Sequence, residues 1–173
     1  MRNNGYTLIE LLVVISVIAI LSVVGFVNFK DFSSSQIAPK AVGQIQSLMR
    51  LAQSNATSST VCSGVGGATW SIIIKDDKKT IDLACGLASP YSVQKSYILE
   101  NVQVDSIKGS DCATSIGFPV TFSYSTGIGT LTVSPSNSCL TNASLIVLTI
   151  KNVKDATKQN SFTVSKAGAI NVQ

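Results

Sequence analysis

Few residues in this chain could do chemistry, and most of their usual partners are missing. There is no histidine. That removes Ser-His and Cys-His nucleophile pairs and the commonest transition-metal ligand. Serine and threonine hydroxyls are plentiful, but nothing beside them is a recognisable activating base. Asp76-Asp77 and Asp82 could suggest calcium. However, the spacing is not that of a cation loop, and Lys78-Lys79 would repel a cation, so a solvated hairpin turn is expected there and no metal or cofactor. The four cysteines, Cys62, Cys85, Cys112 and Cys139, are widely spaced with no C-x-x-C pair. This argues against a zinc ribbon or a dithiol redox motif. In an oxidising compartment they make two disulfides. Three connectivities are open, and Cys62–Cys85 with Cys112–Cys139 closes the two shortest loops. One group is left without an ordinary explanation: Glu10, a carboxylate at the head of a long apolar run.

That run is the most informative element. Met1-Arg2-Asn3-Asn4-Gly5 is a short, polar, positively charged leader. Tyr6-Thr7-Leu8-Ile9-Glu10 follows, and then roughly 17 residues without a charge, from Leu11 to Val27, at the low end of what spans ~30 Å of hydrocarbon as a helix. Arg2 favours keeping the leader side cytoplasmic and placing the rest of the chain outside. A cleaved secretory signal fits less well, because the run is too long and ends in no small-residue cleavage site. A lipoprotein fails because no cysteine precedes the domain. A plain signal anchor leaves Glu10 unexplained, since a carboxylate inside a membrane helix costs about 2.5–3.5 kcal/mol on insertion scales and normally has a partner. Snorkelling to the interface is the competing account of Glu10.

The segment Gly5-Tyr6-Thr7-Leu8-Ile9-Glu10-Leu11-Leu12-Val13-Val14 resembles the prepilin cleavage and methylation motif of type IV pilins and type II secretion pseudopilins. The resemblance implies a cut by prepilin peptidase between Gly5 and Tyr6, and N-methylation of Tyr6, where the family usually has phenylalanine. It also implies an assembly role for Glu10, pairing with the freed N-terminal amine of a neighbouring subunit. Two such charges compensate each other where either alone would be costly to bury. The implied partners are prepilin peptidase, other pilin or pseudopilin subunits, the inner-membrane assembly platform and membrane lipid. The implied location is a single pass through the cytoplasmic membrane with the C-terminal domain outside, then a periplasmic or cell-surface filament.

The helical pattern continues past the apolar run. Ala38, Val42, Ile45, Met49, Ala52 and Ala56 step by four and three, an amphipathic stripe flanked by Gln44, Gln46, Ser47, Arg50 and Gln53. One helix from about Tyr6 to about Thr57 would measure about 75 Å. Gly25 and Pro39 weaken it, with a kink expected near Ile37. The competing reading ends one helix at Ser33-Ser34-Ser35 and Pro39 and begins another. From Val61 onward the period changes to two. Trp70, Ile72 and Ile74, the Asp-Asp-Lys-Lys turn, then Ile81 and Leu83 read as a hairpin. Phe118 to Tyr124 with Leu131 and Val133 read as strands, as do Leu145–Ile150 and Phe162, Val164, Ile170 and Val172. The expected organisation is leader 1–5, membrane or filament-core helix 6–29, amphipathic helix 30–60 and β-rich domain 61–173. The fold class is α+β, a long helix packed on an antiparallel sheet.

Leu48–Ala56 at the helix end and Phe162–Ile170 near the C-terminus resemble minor pilins and pseudopilins of the GspH and FimU type. That branch commonly carries an arginine after the final glycine, where Ala169 stands here. The function expected is therefore a structural subunit, not an enzyme, of a type IV pilus or type II secretion pseudopilus. The alternative is a membrane-anchored adhesin or DNA-uptake tip subunit using the same helix. Lys and Arg are scattered singly, and the one dense cluster, Asp76-Asp77-Lys78-Lys79, is mixed in sign, which argues against a nucleic-acid footprint.

Overall fold

The computed structural model describes residues 6–135 and 138–172, with backbone alone for 23–34, 141 and 172. The chain divides into two compact units, Met1–Gln36 and Ile37–Gln173. Helix α1 is assigned from Leu8 to Thr57 with Pro39 inside it, so the reading with two separate helices does not hold. The second unit begins at Ile37, within α1, because the helix stripe is part of the domain core.

That stripe is buried throughout: Ala38, Val42, Ile45, Met49, Ala52 and Ala56, joined by Ala41 and Leu48. The alanines and Met49 are good helix formers and keep the packed face narrow. The helix ends in a Schellman-type cap. Thr60 N–H donates to the Asn55 carbonyl (2.9 Å) and Ser59 N–H to that of Ala56 (3.2 Å). Ser59 takes the left-handed conformation, with φ of 51°.

Among the described residues nine strands follow: β1 (Thr69–Ile74), β2 (Thr80–Gly86), β3 (Ser92–Ile98), β4 (Val102–Gly109), β5 (Val120–Tyr124), β6 (Leu131–Ser134), then, after a short helix α2 (Ser138–Asn142), β7 (Leu145–Asn152), β8 (Gln159–Ser165) and β9 (Ile170–Val172). They form two antiparallel sheets where the sequence suggested one. The five-stranded sheet has the order β3-β2-β1-β5-β6 and the four-stranded sheet β4-β7-β8-β9. The expected hairpins are present. Ile72 faces Leu83 and Ile74 faces Ile81 across β1–β2, and Phe162 faces Val172 across β8–β9. One apolar core contains the helix stripe together with Ile72, Ile74, Phe122 and Tyr124 of the larger sheet and Leu148, Ile150, Phe162 and Val164 of the smaller one.

Two turns close on the last residues of α1. Gly127 N–H donates to the Ala56 carbonyl (3.1 Å). Gly129 and Gly168 have φ of +70° and +83°, and a Cβ on either would run into side chains of α1: Thr57 for Gly129 and the Gln53 amide for Gly168. The Gln53 amide instead donates to the Ala167 carbonyl (3.3 Å). The positive φ favours glycine at both turns, and a Cβ at either would push Thr57 or the Gln53 amide aside.

Candidate functional site

The candidate site is the start of α1. Thr7 is its N-cap and Glu10 its third residue, and they close a reciprocal capping box. Glu10 N–H donates to Thr7 Oγ1 (3.3 Å). The Glu10 carboxylate reaches back and accepts from Thr7 N–H (2.9 Å) and from the Thr7 hydroxyl (2.9 Å), both on Oε2. Helix starts leave N–H groups unsatisfied, and this T-x-x-E arrangement satisfies two of them, Thr7 and Glu10, while placing negative charge at the positive end of the helix. The motif was present in the sequence as Thr7-Leu8-Ile9-Glu10. Glu10 stands out there among apolar neighbours, whereas Thr7 is of a type common throughout the chain. Gly5, the other half of the expected cleavage site, lies outside the described residues. Tyr6 lies just ahead of the helix and is fully accessible (86%).

From Leu11 to Leu21 the helix is apolar on every side. From Leu8 to Leu21 the large apolar side chains are all exposed, none below 49%. No face is polar, so this is not the amphipathic pattern of a surface helix. A helix apolar all round belongs inside a membrane or a larger packed core. The polar groups it does carry are turned inward. Ser16 Oγ donates to the Leu12 carbonyl (2.8 Å) and Ser22 Oγ to that of Ile18 (2.7 Å), so neither hydroxyl asks for an outside partner. Among the described residues, no helix is long and apolar enough to cross a membrane. The apolar stretch whose side chains are described ends at Ser22, short of the ~20 residues a span requires.

The other residues singled out in the sequence are structural. Cys62 is bonded to Cys85 and Cys112 to Cys139, and none of the four is free. The acidic residues of the first hairpin do not converge. Asp77 caps its own turn, accepting from Thr80 Oγ1 (2.6 Å), Thr80 N–H (2.8 Å) and Lys79 N–H (3.0 Å). Those bonds, led by the Thr80 hydroxyl, hold its pKa below the usual value. Asp82 is buried and accepts from Lys75 Nζ (3.0 Å) and Ser96 Oγ (2.6 Å), tying β1, β2 and β3 together on one face. Among the described residues no cluster of acidic residues or cysteines could hold a metal ion. Ser92 and Lys95 have the spacing of a serine–lysine nucleophile pair on strand β3, but each is engaged elsewhere: Ser92 Oγ accepts from the Gln94 amide (3.3 Å) and Lys95 Nζ lies over the Tyr97 ring, 4.9 Å from its centroid.

A family profile described as the prokaryotic N-terminal methylation motif matches residues 1–26. No curated protein sequence matches the chain. Among solved structures, the Pseudomonas aeruginosa type IV minor pilin FimU matches in two crystal forms. The first has a TM-score of 0.53 at 15% identity, covering 82% of this chain and 92% of that one. The second has a TM-score of 0.50 at 16% identity, covering 78% and 91%. The chain joins a methylation motif to a pilin-like α+β fold. At this identity the likeness carries the fold, and the motif carries the N-terminal chemistry. The two meet on one helix, whose first residues hold the motif and whose last turns are buried in the domain. The motif implies a membrane-anchored N-terminus.

Proposed function

We propose that this chain is a prepilin-class structural subunit of a type IV pilus or type II secretion pseudopilus, of the minor type. It is inserted once in the cytoplasmic membrane with its β-domain outside. Prepilin peptidase cuts between Gly5 and Tyr6 and methylates the Tyr6 amine. The apolar helix then leaves the lipid for a filament core built with other pilin-type subunits on an inner-membrane assembly platform. Glu10 accepts the N-terminal amine of a neighbour there and so sets the axial register. The chain contributes contacts and no catalysis. The observation that carries this reading is the methylation motif running into a helix that is apolar on every side, on a pilin fold. Transfer from lipid to filament core exchanges one apolar surrounding for another, so assembly is selected by packing and by the few polar groups on the helix.

Intact-mass and N-terminal peptide mass spectrometry on protein from native membranes tests it, with and without the host's prepilin peptidase. The expected mature chain begins at N-methylated Tyr6 and is lost when the peptidase is deleted. An uncut Met1 form, or a cut beyond Val27, in peptidase-positive cells overturns the reading.

A further inference from the structure

The two sheets have four edges, formed by β3, β6, β4 and β9, and three of them are short or engaged. β9 has three residues. Leu131 N–H of β6 donates to the Lys166 carbonyl (2.9 Å), and Val104 N–H of β4 donates to the Lys78 carbonyl (2.8 Å). The outer edge of β3 is different. Leu99 N–H donates to the Lys79 carbonyl (3.0 Å), in register with the pairing of Thr80 and Ile98. Bonded positions alternate along an antiparallel pair, so Lys95 and Tyr97 turn their backbone groups to β2, and Ser96 and Ile98 turn theirs outward. Among the described residues, those outward groups have no hydrogen-bond partner.

The side chains at this edge are uncovered as well. Ile98 is 71% and Val93 49% exposed. A groove runs beside the strand, lined by Gln44, Ser47 and Leu48 of α1 and by Tyr97, Ile98 and Leu99. Proteins normally blunt an open edge, and β3 carries one such device, Lys95 at its centre. A second copy pairing antiparallel along the whole strand would set Lys95 opposite its own equivalent, and like charges facing each other across a pair are destabilising. Among the described residues no carboxylate meets Lys95, whose ammonium lies over the Tyr97 ring. The edge therefore disfavours its own copy and favours a strand with an acidic residue at the facing position. We infer that β3 is a strand-addition site for an extended segment of a different pilin-type subunit. That segment pairs with the Ser96 and Ile98 backbone and places an aspartate or glutamate opposite Lys95. The kind of subunit rests on the assembly reading above; the open edge and its charge do not.

The test keeps the full chain in its host. A benzophenone side chain introduced at Val93 is photolysed in native membranes and in sheared filaments, and the cross-linked residues are read by mass spectrometry. The expected product is one extended segment of another pilin-type subunit, containing an acidic residue. Lys95→Glu is expected to cut the cross-link yield about tenfold, the effect of turning an attractive cross-strand pair into a repulsive one. Lys95→Arg keeps the yield. Ile98→Pro removes an outward N–H that β2 does not use. It is expected to abolish the cross-link and leave the denaturant midpoint of the domain unchanged. Where Ile98→Pro lowers that midpoint, the two Lys95 variants decide alone. Cross-links to a second copy of this chain, or to a helix, overturn the inference, and so does an undiminished yield in Lys95→Glu. A chain present in filaments with no cross-link from Val93 overturns the inference and leaves the assembly reading standing. A processed chain absent from every filament fraction overturns that reading, and the choice of a pilin-type partner falls with it.

Discussion

Single carboxylates in this domain act as fasteners of turns. Asp77 closes the β1–β2 turn on Thr80 and Lys79, and Asp155 closes the β7–β8 turn on the hydroxyl (2.6 Å) and N–H (3.1 Å) of Thr157. In each the hydroxyl bond is the leading cause of a pKa held below the ordinary value. A carboxyl whose folded pKa is depressed binds its proton more weakly folded than unfolded. Its contribution is therefore present above the ordinary carboxylate range of ~4 and is lost as pH falls through the depressed value. Thermal unfolding of the full chain in detergent, followed from neutral pH down to about pH 2, is expected to show an acid-side loss of stability. That loss should become shallower in Asp77→Asn. An unchanged acid slope in the variant would show that the turn gains nothing from the charge. At this scale the sequence was legible where a residue was out of place, as Glu10 is among apolar neighbours. It was silent about Thr7, whose type is common everywhere and whose role depends on a helix beginning at Leu8.

Elements were legible where burial keeps one period. The helix stripe from Ala38 to Ala56 and the alternation in β1, β5 and β8 each face a single core, so the pattern survives in the sequence. β3 and β4 were missed for different reasons. β3 is an edge strand of the larger sheet with almost every side chain exposed, so it carries no apolar alternation. β4 begins with Val102 and Val104 buried, then a bulge between Val104 and Ser106 shifts the parity, and Ile107 becomes the next buried apolar residue. A bulge moves the apolar set to the other phase and hides a strand from a period-two reading. Met49 sits at the centre of the helix contribution, with no exposed surface. Met49→Ala is expected to cost about 2–5 kcal/mol, measured as a shift in denaturant midpoint at constant slope. A cost below about 1 kcal/mol would mean that the core collapses onto the site. Gly168→Ala tests the other end of the same contact. It forces φ of +83° on a residue with a side chain and drives a methyl into the Gln53 amide. Its destabilisation, about 1 kcal/mol or more, is expected to appear in the same unfolding assay.

Across the whole molecule, the methylation motif and the class of fold could be read from residues in order, because the N-terminal signal is local and the periods of helix and strand are too. The division at Ile37, the split into two sheets and the register between them could not, because they depend on contacts between distant segments. The two disulfides join such segments, with sequence separations of 23 and 27 residues. Loop-closure entropy gives about 3 kcal/mol for each, a large share of the stability of a domain this size. Reductant is expected to lower the denaturation midpoint by a corresponding amount without changing the far-ultraviolet signal of the folded chain at low denaturant. An unchanged midpoint would show that the core alone holds the domain.

The first of those bonds also decides where a pull on the chain would go. Tension carried along α1 leaves the helix at Thr57 and meets Cys62 a few residues later. From there the disulfide passes it directly to Cys85 in β2, a strand held on both sides by β1 and β3. The intervening residues, 63–84, with all of β1 among them, are bypassed and cannot be drawn out while the bond stands. Under load the β1–β2 hairpin lies outside the covalent path, and the length it could release is withheld while the bond stands.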